Sequence, residues 1–75
     1  MRNSLGQVIR AERKRREMRQ SELADRAGIS QWSLSHYERD SSVPSFNVMC
    51  YIADALGIDL NTIRREWEEG IDDEE

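Results

Sequence analysis

Residues 27–30, Ala27-Gly28-Ile29-Ser30, constrain the fold of this chain more than any other four positions. They follow a run from Gln20 to Ala27 in which Leu23, Ala24 and Ala27 recur at the three-to-four spacing of one helix face. Gly28 takes left-handed backbone at little cost, so it ends that helix. Ser30 then caps another helix over about Gln31–Arg39. Helices this short do not stand alone in water. They must dock, and Leu23, Ala24, Ala27, Ile29, Leu34 and Tyr37 are spaced to pack the two together. Ser30, Gln31, Trp32, Ser33, Ser35 and His36 are left facing outward.

Three more helices surround this pair, and no segment has the alternation of a strand. The first runs from about Ser4 to Arg16, with Ser4 as its cap and Leu5, Val8, Ile9 and Glu12/Arg13 on one stripe. Its last turns are basic, which suits the helix dipole. Asp40-Ser41-Ser42-Val43 reads as a loop. Pro44-Ser45 opens a fourth helix to about Leu56, with Phe46, Met49/Cys50, Ala53 and Leu56 as its apolar stripe and Gly57 as its stop. Asp59 caps a fifth, on which Leu60, Ile63 and Trp67 share a face. The expected fold is all-α, a compact five-helix globule over residues 1–69, followed by an acidic tail at 70–75.

Seventy-five residues suffice for one domain with a small core. Cys50 is the only cysteine, so an internal disulfide is impossible, and it reads as a small buried hydrophobe. No apolar run is long enough to cross a bilayer, and none near Met1 resembles a signal peptide, so a cytoplasmic location is expected. The net charge of −4 is unevenly spread. Residues 1–44 carry nine Arg/Lys against six acids, and residues 45–75 carry two Arg against nine acids. The front is therefore +3 and the back −7, a polarised molecule.

Two short helices around a tight turn, with a polar outer face, are how a major-groove reader is built. The chain resembles the lambda-repressor/Cro group of helix-turn-helix regulators, often called the Cro/C1 or xenobiotic-response-element type. The resemblance spans about residues 4–68. It rests on Leu5-Gly6, Ile9-Arg10, Arg13, Gln20, Leu23-Ala24, Gly28-Ile29-Ser30, Leu34-Ser35, Glu38, Pro44, Ile52-Ala53 and Ala55-Leu56-Gly57. It implies a lambda-repressor-like DNA-binding domain with the helix-turn-helix at 20–39. It further implies that Gln20 bonds a phosphate and steadies the reading helix, and that Gln31 reads adenine. A glutamine amide does pair bidentately with adenine N6 and N7. Gln20 and Gln31 are expected to touch and fix each other's amide. Trp32, Ser33 and His36 fall on the other base-contact positions. Arg13 and Glu38 match a family ion pair that ties the first helix to the end of the third.

Phosphate contact and orientation of the reading helix are expected from Arg10, Arg19, Gln20, Ser30, Ser35, Arg39 and Ser41. Arg19 stands where relatives place a Ser or Thr cap, a loss of about 1 kcal/mol that puts a charge on the backbone path. Asp40 stands where relatives often place glycine, and tolerates left-handed backbone less well. The Trp32 indole could touch a thymine methyl, lie along the sugar-phosphate wall, or fold over the domain surface. His36 has no carboxylate or cysteine in register, so a base or phosphate contact is favoured over a metal role. Tyr37 reads as core and Tyr51 as half-buried.

Trp67 and Ile71 carry the apolar face of the last helix beyond what so small a core absorbs. Trp67 either closes the core or joins Leu60, Ile63 and Arg64 in a two-fold dimer contact, as family members commonly dimerise through this end. The acidic run to Glu75 solubilises the chain, shields its back from DNA, or binds a basic protein partner.

The expectation is a sequence-specific DNA-binding regulator, a nucleoid-associated homodimer that represses by occluding a palindromic operator. Phage, mobile-element, restriction-modification-controller and antitoxin roles all fit. The competing reading is a protein-interaction adaptor on the same fold. There is no nucleophile–base pair, metal-ligand spacing or glycine-rich phosphate loop to suggest an enzyme, a metal or a cofactor.

Overall fold

Each helix begins on a cap, and most end on one left-handed residue. The computed structural model describes residues 3–70, and its elements are α1 (Leu5–Arg15), α2 (Gln20–Ala27), α3 (Gln31–Glu38), α4 (Phe46–Leu56) and α5 (Leu60–Glu69). Among the described residues all regular structure is helical, as the sequence implies. Ser4, Ser30, Ser45 and Asp59 each accept the N–H of the third helical residue. At Ser4 the bond is reciprocated: Gln7 Oε1 accepts the Ser4 N–H at 2.9 Å. Arg19 caps α2 with no side-chain acceptor, and Glu22 Oε1 instead takes the Arg19 N–H at 2.9 Å. Half of a capping box thus offsets the missing Ser or Thr.

Gly28 sits at φ 74°, and the chain folds back through Ile29 N–H to Ala24 O at 3.0 Å. This satisfies carbonyls that α2 would otherwise leave open and sets the angle of α3. Asp40 does the same after α3 at φ 62°, with Ser41 N–H donating to His36 O at 2.9 Å. The aspartate there has a compensation that glycine would lack. Its Oδ1 accepts the Gly6 N–H at 3.0 Å, placing a negative charge on the positive end of α1.

The core is formed by Val8, Ile9, Met18, Leu23, Ala24, Ala27, Leu34, Met49, Ile52, Ala53, Leu56 and Ile63. α2 packs on α4, α1 and α2 on α3, and α5 on α1 and α4. This leaves one side of α3 open along its length. Tyr37 packs against the core while partly exposed. Three expected placements need correction. Phe46 is 73% exposed, because the first residue of α4 projects past the edge of the core and Ile52 fills the interior position. Cys50 is half-buried, on the flank of that helix. Tyr51 is exposed at 53%. Ile71 and most of the expected 70–75 tail lie outside the described residues.

Two glutamates join α1 to α5. Glu12 and Glu66 are both buried, and Arg15 Nη1 donates to Glu12 Oε2 at 2.9 Å and to Glu66 Oε2 at 3.1 Å. Arg16 Nη1 adds a bond to Glu12 Oε1 at 2.6 Å. Glu66 Oε1 is buried without a hydrogen-bond partner. Burial, then the hydrogen bond and charge of Glu12, raise the Glu66 carboxyl above its ordinary 4.5. Burial opposes the Glu12 charge too, but bonds from Glu66 and Arg16 and the charges of Arg15 and Arg16 prevail and lower it. Of the two carboxyls, Glu66 therefore holds its proton to the higher pH.

Folding binds that proton more tightly than the unfolded chain does. The stability from Glu66 is therefore present below 4.5 and lost as pH rises through its raised folded value. Glu66→Gln keeps a donor and cannot ionise. Thermal melts of the two chains should nearly coincide at pH 4, with the variant melting higher at pH 8. A gap that does not grow with pH contradicts the raised Glu66 carboxyl.

Candidate nucleic-acid interface

The open side of α3 carries the polar residues singled out from the sequence. Gln31 and Trp32 are exposed, and Ser33, Ser35 and His36 are half-buried. Leu34 and Glu38, on the opposite side, are buried. Ser30 Oγ accepts the Ser33 N–H at 3.0 Å and donates to Ser33 Oγ, also at 3.0 Å. The Ser30 hydroxyl is thus committed to the start of the helix, while the Ser33 hydroxyl keeps its own hydrogen to donate. Trp32 stays 70% exposed and stacks on His36, one turn along, with ring centroids 4.0 Å apart and planes tilted by 46°. The indole is therefore not folded over the domain surface, one of the three placements open to it.

The far end of α3 is anchored from beneath. Arg13 Nε donates to Glu38 Oε2 at 2.7 Å, and Nη2 to Glu38 Oε1 at 3.0 Å. The third arm, Nη1, donates to Met18 O at 2.7 Å. Gln20 completes the cluster, with Nε2 donating to Glu38 Oε1 at 3.0 Å. The expected contact between Gln20 and Gln31 is thereby replaced. A carboxylate already fixed by Arg13 is a stronger acceptor than an exposed amide oxygen. One Nε2 hydrogen of Gln20 is left for another acceptor.

Above this cluster lies a recess of about 270 Å³, lined by Arg10, Arg13, Gln20, Ser35, Glu38 and Arg39. It unites four of the residues expected to contact phosphate or support the reading helix, Arg10, Gln20, Ser35 and Arg39, with the Arg13–Glu38 pair. Two guanidinium groups, Arg10 and Arg39, are exposed there. Their charge, with the Ser35 hydroxyl and the spare Gln20 hydrogen, suits an anionic oxygen beside the end of α3. Arg19 and Ser41 are exposed but outside this recess.

A second surface lies on the α4–α5 side. An apolar groove of about 560 Å³ runs between Leu5, Val43, Phe46, Met49, Leu60, Ile63 and Trp67, with Asp40, Asn61 and Arg64 completing its lining. Of the four residues expected to pair two copies, Leu60 and Trp67 are half-buried here and Arg64 is exposed, bonded to Glu68 at 2.8 Å. Ile63 is buried at 3% exposure, seated on α1 and α4 while its edge lines the groove. Val43, in the loop, and Phe46, which periodicity placed on the core stripe, are 81% and 73% exposed on this surface. Among the described residues no His/Cys/Asp/Glu cluster could hold a metal, and no helix is long and apolar enough to cross a membrane.

A helix-turn-helix family model (HTH_3) matches residues 9–63. The immunity repressor protein of Bacillus phage phi105 is 40% identical over 60 residues, covering 80% of this chain and 42% of that repressor. The chain thus spans less than half of that relative. The master regulator for biofilm formation SinR, solved in complex with DNA, superposes with a TM-score of 0.75 at 31% identity, over 80% of this chain and 97% of that one. The DNA-binding domain of the P22 c2 repressor has the same fold, with a TM-score of 0.83 at 24% identity, over 92% of each chain.

Proposed function

The chain belongs to the helix-turn-helix family of Cro/C1 type, and from that premise we propose that it is a sequence-specific DNA-binding transcriptional regulator. The observation that carries this reading is the union of an open α3 face, Gln31 to His36, with the Arg10–Arg39 recess at its end. α3 enters the major groove, with Gln31, Trp32, Ser33 and His36 toward the bases. Arg10, Arg39, Gln20 and Ser35 hold one backbone stretch, while Arg19 and Ser41 approach it from the loops on either side. Ser30 acts by fixing the first turn of the reading helix. The likeness to a phage immunity repressor supports repression of a phage or mobile-element promoter.

Two copies pair across the apolar groove through Leu60, Ile63, Arg64 and Trp67, joined by Val43 and Phe46. Two-fold pairing sets the α3 helices about 34 Å apart, one DNA turn, facing a palindrome. Such a protein works without a catalytic step and at the nucleoid.

Replacing Gln31 by Ala tests the reading against an adaptor on the same fold. Gln31 is exposed and makes no core contact, so folding is unchanged. Affinity for the selected site should fall by about 1–3 kcal/mol, with less effect on unrelated DNA. Equal affinity of the two chains for that site, measured by titration, contradicts the reading.

A further inference from the structure

Asp40 belongs to three parts of the domain at once. Its backbone makes the left-handed turn at φ 62° that closes α3, with its N–H donating to Tyr37 O at 3.1 Å. Its side chain accepts the Gly6 N–H at 3.0 Å, at the start of α1, whose own first turn holds no acid. The third part is the apolar groove, which Asp40 lines beside Leu5, Val43 and Phe46. α1 thus meets the end of α3 at two points, Gly6 and Arg13, about two turns apart. Two fixed points set an angle, whereas one allows a pivot. We propose that Asp40 is a positioning residue through which pairing at the groove and DNA reading by α3 strengthen each other.

The physical link is the exclusion of water. Asp40 is exposed in the single chain, so its carboxylate can exchange the Gly6 N–H for water at small cost. A second copy seated on Val43 and Phe46, which are exposed beside it, covers Asp40 as well. A covered carboxylate that let go of Gly6 would find no water in its place, which is far more costly. Pairing therefore holds the bond closed, and with it the angle between α1 and α3. The joint has little slack, because a Cβ on Gly6 would already stand 2.7 Å from Glu38 O and 2.8 Å from Asp40 Oδ1. By linkage the effect is reciprocal, so DNA that selects the same angle tightens pairing by the same factor.

The inference rests on the paired DNA reader proposed above. Its test uses the full chain and a short duplex carrying one half-site of the operator recovered by selection. Such a duplex touches one protomer, so its effect on pairing must pass through the protein. The salt is set high enough to screen one duplex from another. Sedimentation equilibrium should show the dimer dissociation constant falling by about fivefold or more when the duplex is saturating. Asp40→Asn tolerates left-handed backbone and keeps an acceptor for Gly6, and should retain this tightening. Asp40→Gly has the same charge and an unstrained turn but no acceptor. It should fold and pair without DNA, yet lose the tightening. Where both variants are paired, it should also bind the half-site several-fold more weakly than Asp40→Asn. Equal tightening in the two variants overturns the role of Asp40. A parent dimer indifferent to the duplex overturns the link and leaves both the reader and the dimer standing. A chain that binds the half-site but never pairs overturns the inference together with pairing. Failure to recover any specific site is a failure of the regulator reading itself, and the inference falls with it.

Discussion

Glu38→Ala should lower unfolding free energy by about 3–5 kcal/mol, the cost of stripping one partner from a buried ion pair. Glu38 accepts three hydrogen bonds, two from Arg13 and one from Gln20. Its side chain is 2% exposed and that of Arg13 is 10% exposed. Truncation would leave a guanidinium in a low-dielectric site with Met18 O as its remaining named partner. It would also free the Gln20 amide, so α2 and α3 would lose their shared anchor. A small domain has about 5–15 kcal/mol in all, so the loss is a large share. Urea titration should show the midpoint falling sharply. Replacing both members with apolar residues, Arg13→Met with Glu38→Leu, should recover much of the loss, because no unpaired charge remains. A single-variant loss below about 1 kcal/mol would place the pair among solvated surface bridges instead.

Gly6→Ala should destabilise as well, against the usual preference. Alanine in a helix is ordinarily better than glycine by about 1 kcal/mol. Here a Cβ would collide with the carbonyl oxygen of Tyr37, and would stand 2.7 Å from Glu38 O and 2.8 Å from Asp40 Oδ1. Two of these three atoms are backbone at the end of α3, so no side chain can swing aside. The methyl would have to push α1 from α3 and break the Gly6 N–H bond to Asp40. Overpacking of this kind costs about 1–3 kcal/mol. The shift would also tilt the reading helix, so operator affinity should fall along with the melting temperature. A variant as stable as the parent, by thermal melt, would mean that the α1–α3 approach is looser than described.

The turn and the short helices were legible because their signals are local. Ala27-Gly28-Ile29-Ser30 states a stop, a left-handed residue and a start within four positions, and capping chemistry acts over the same range. Periodicity also picked out Val8, Ile9, Leu23 and Leu34, all fully buried. It failed at Phe46, where three-to-four spacing cannot tell an interior position from a helix start that overhangs the core edge. At Ile63 one stripe serves both core and groove. The Gln20–Glu38 bond and the Glu12–Glu66 pair depend on residues distant in sequence. No local pattern marks them, since isolated glutamates on a helix look like solvated surface. Asp40 was readable as a departure, but its bond to Gly6 was not, because it spans α1 and the loop after α3.

A selection of genomic fragments by the purified chain, at low and moderate salt, tests the central claim most directly. Phosphate contacts make total binding fall as salt rises, while specific sites persist longest. A dimeric reader should enrich a palindrome with half-site centres one helical turn apart, about 34 Å. Recovery of sequence-indifferent DNA that disappears with salt, or of no DNA, would contradict the account and leave the apolar groove and acidic end as surfaces for a protein partner.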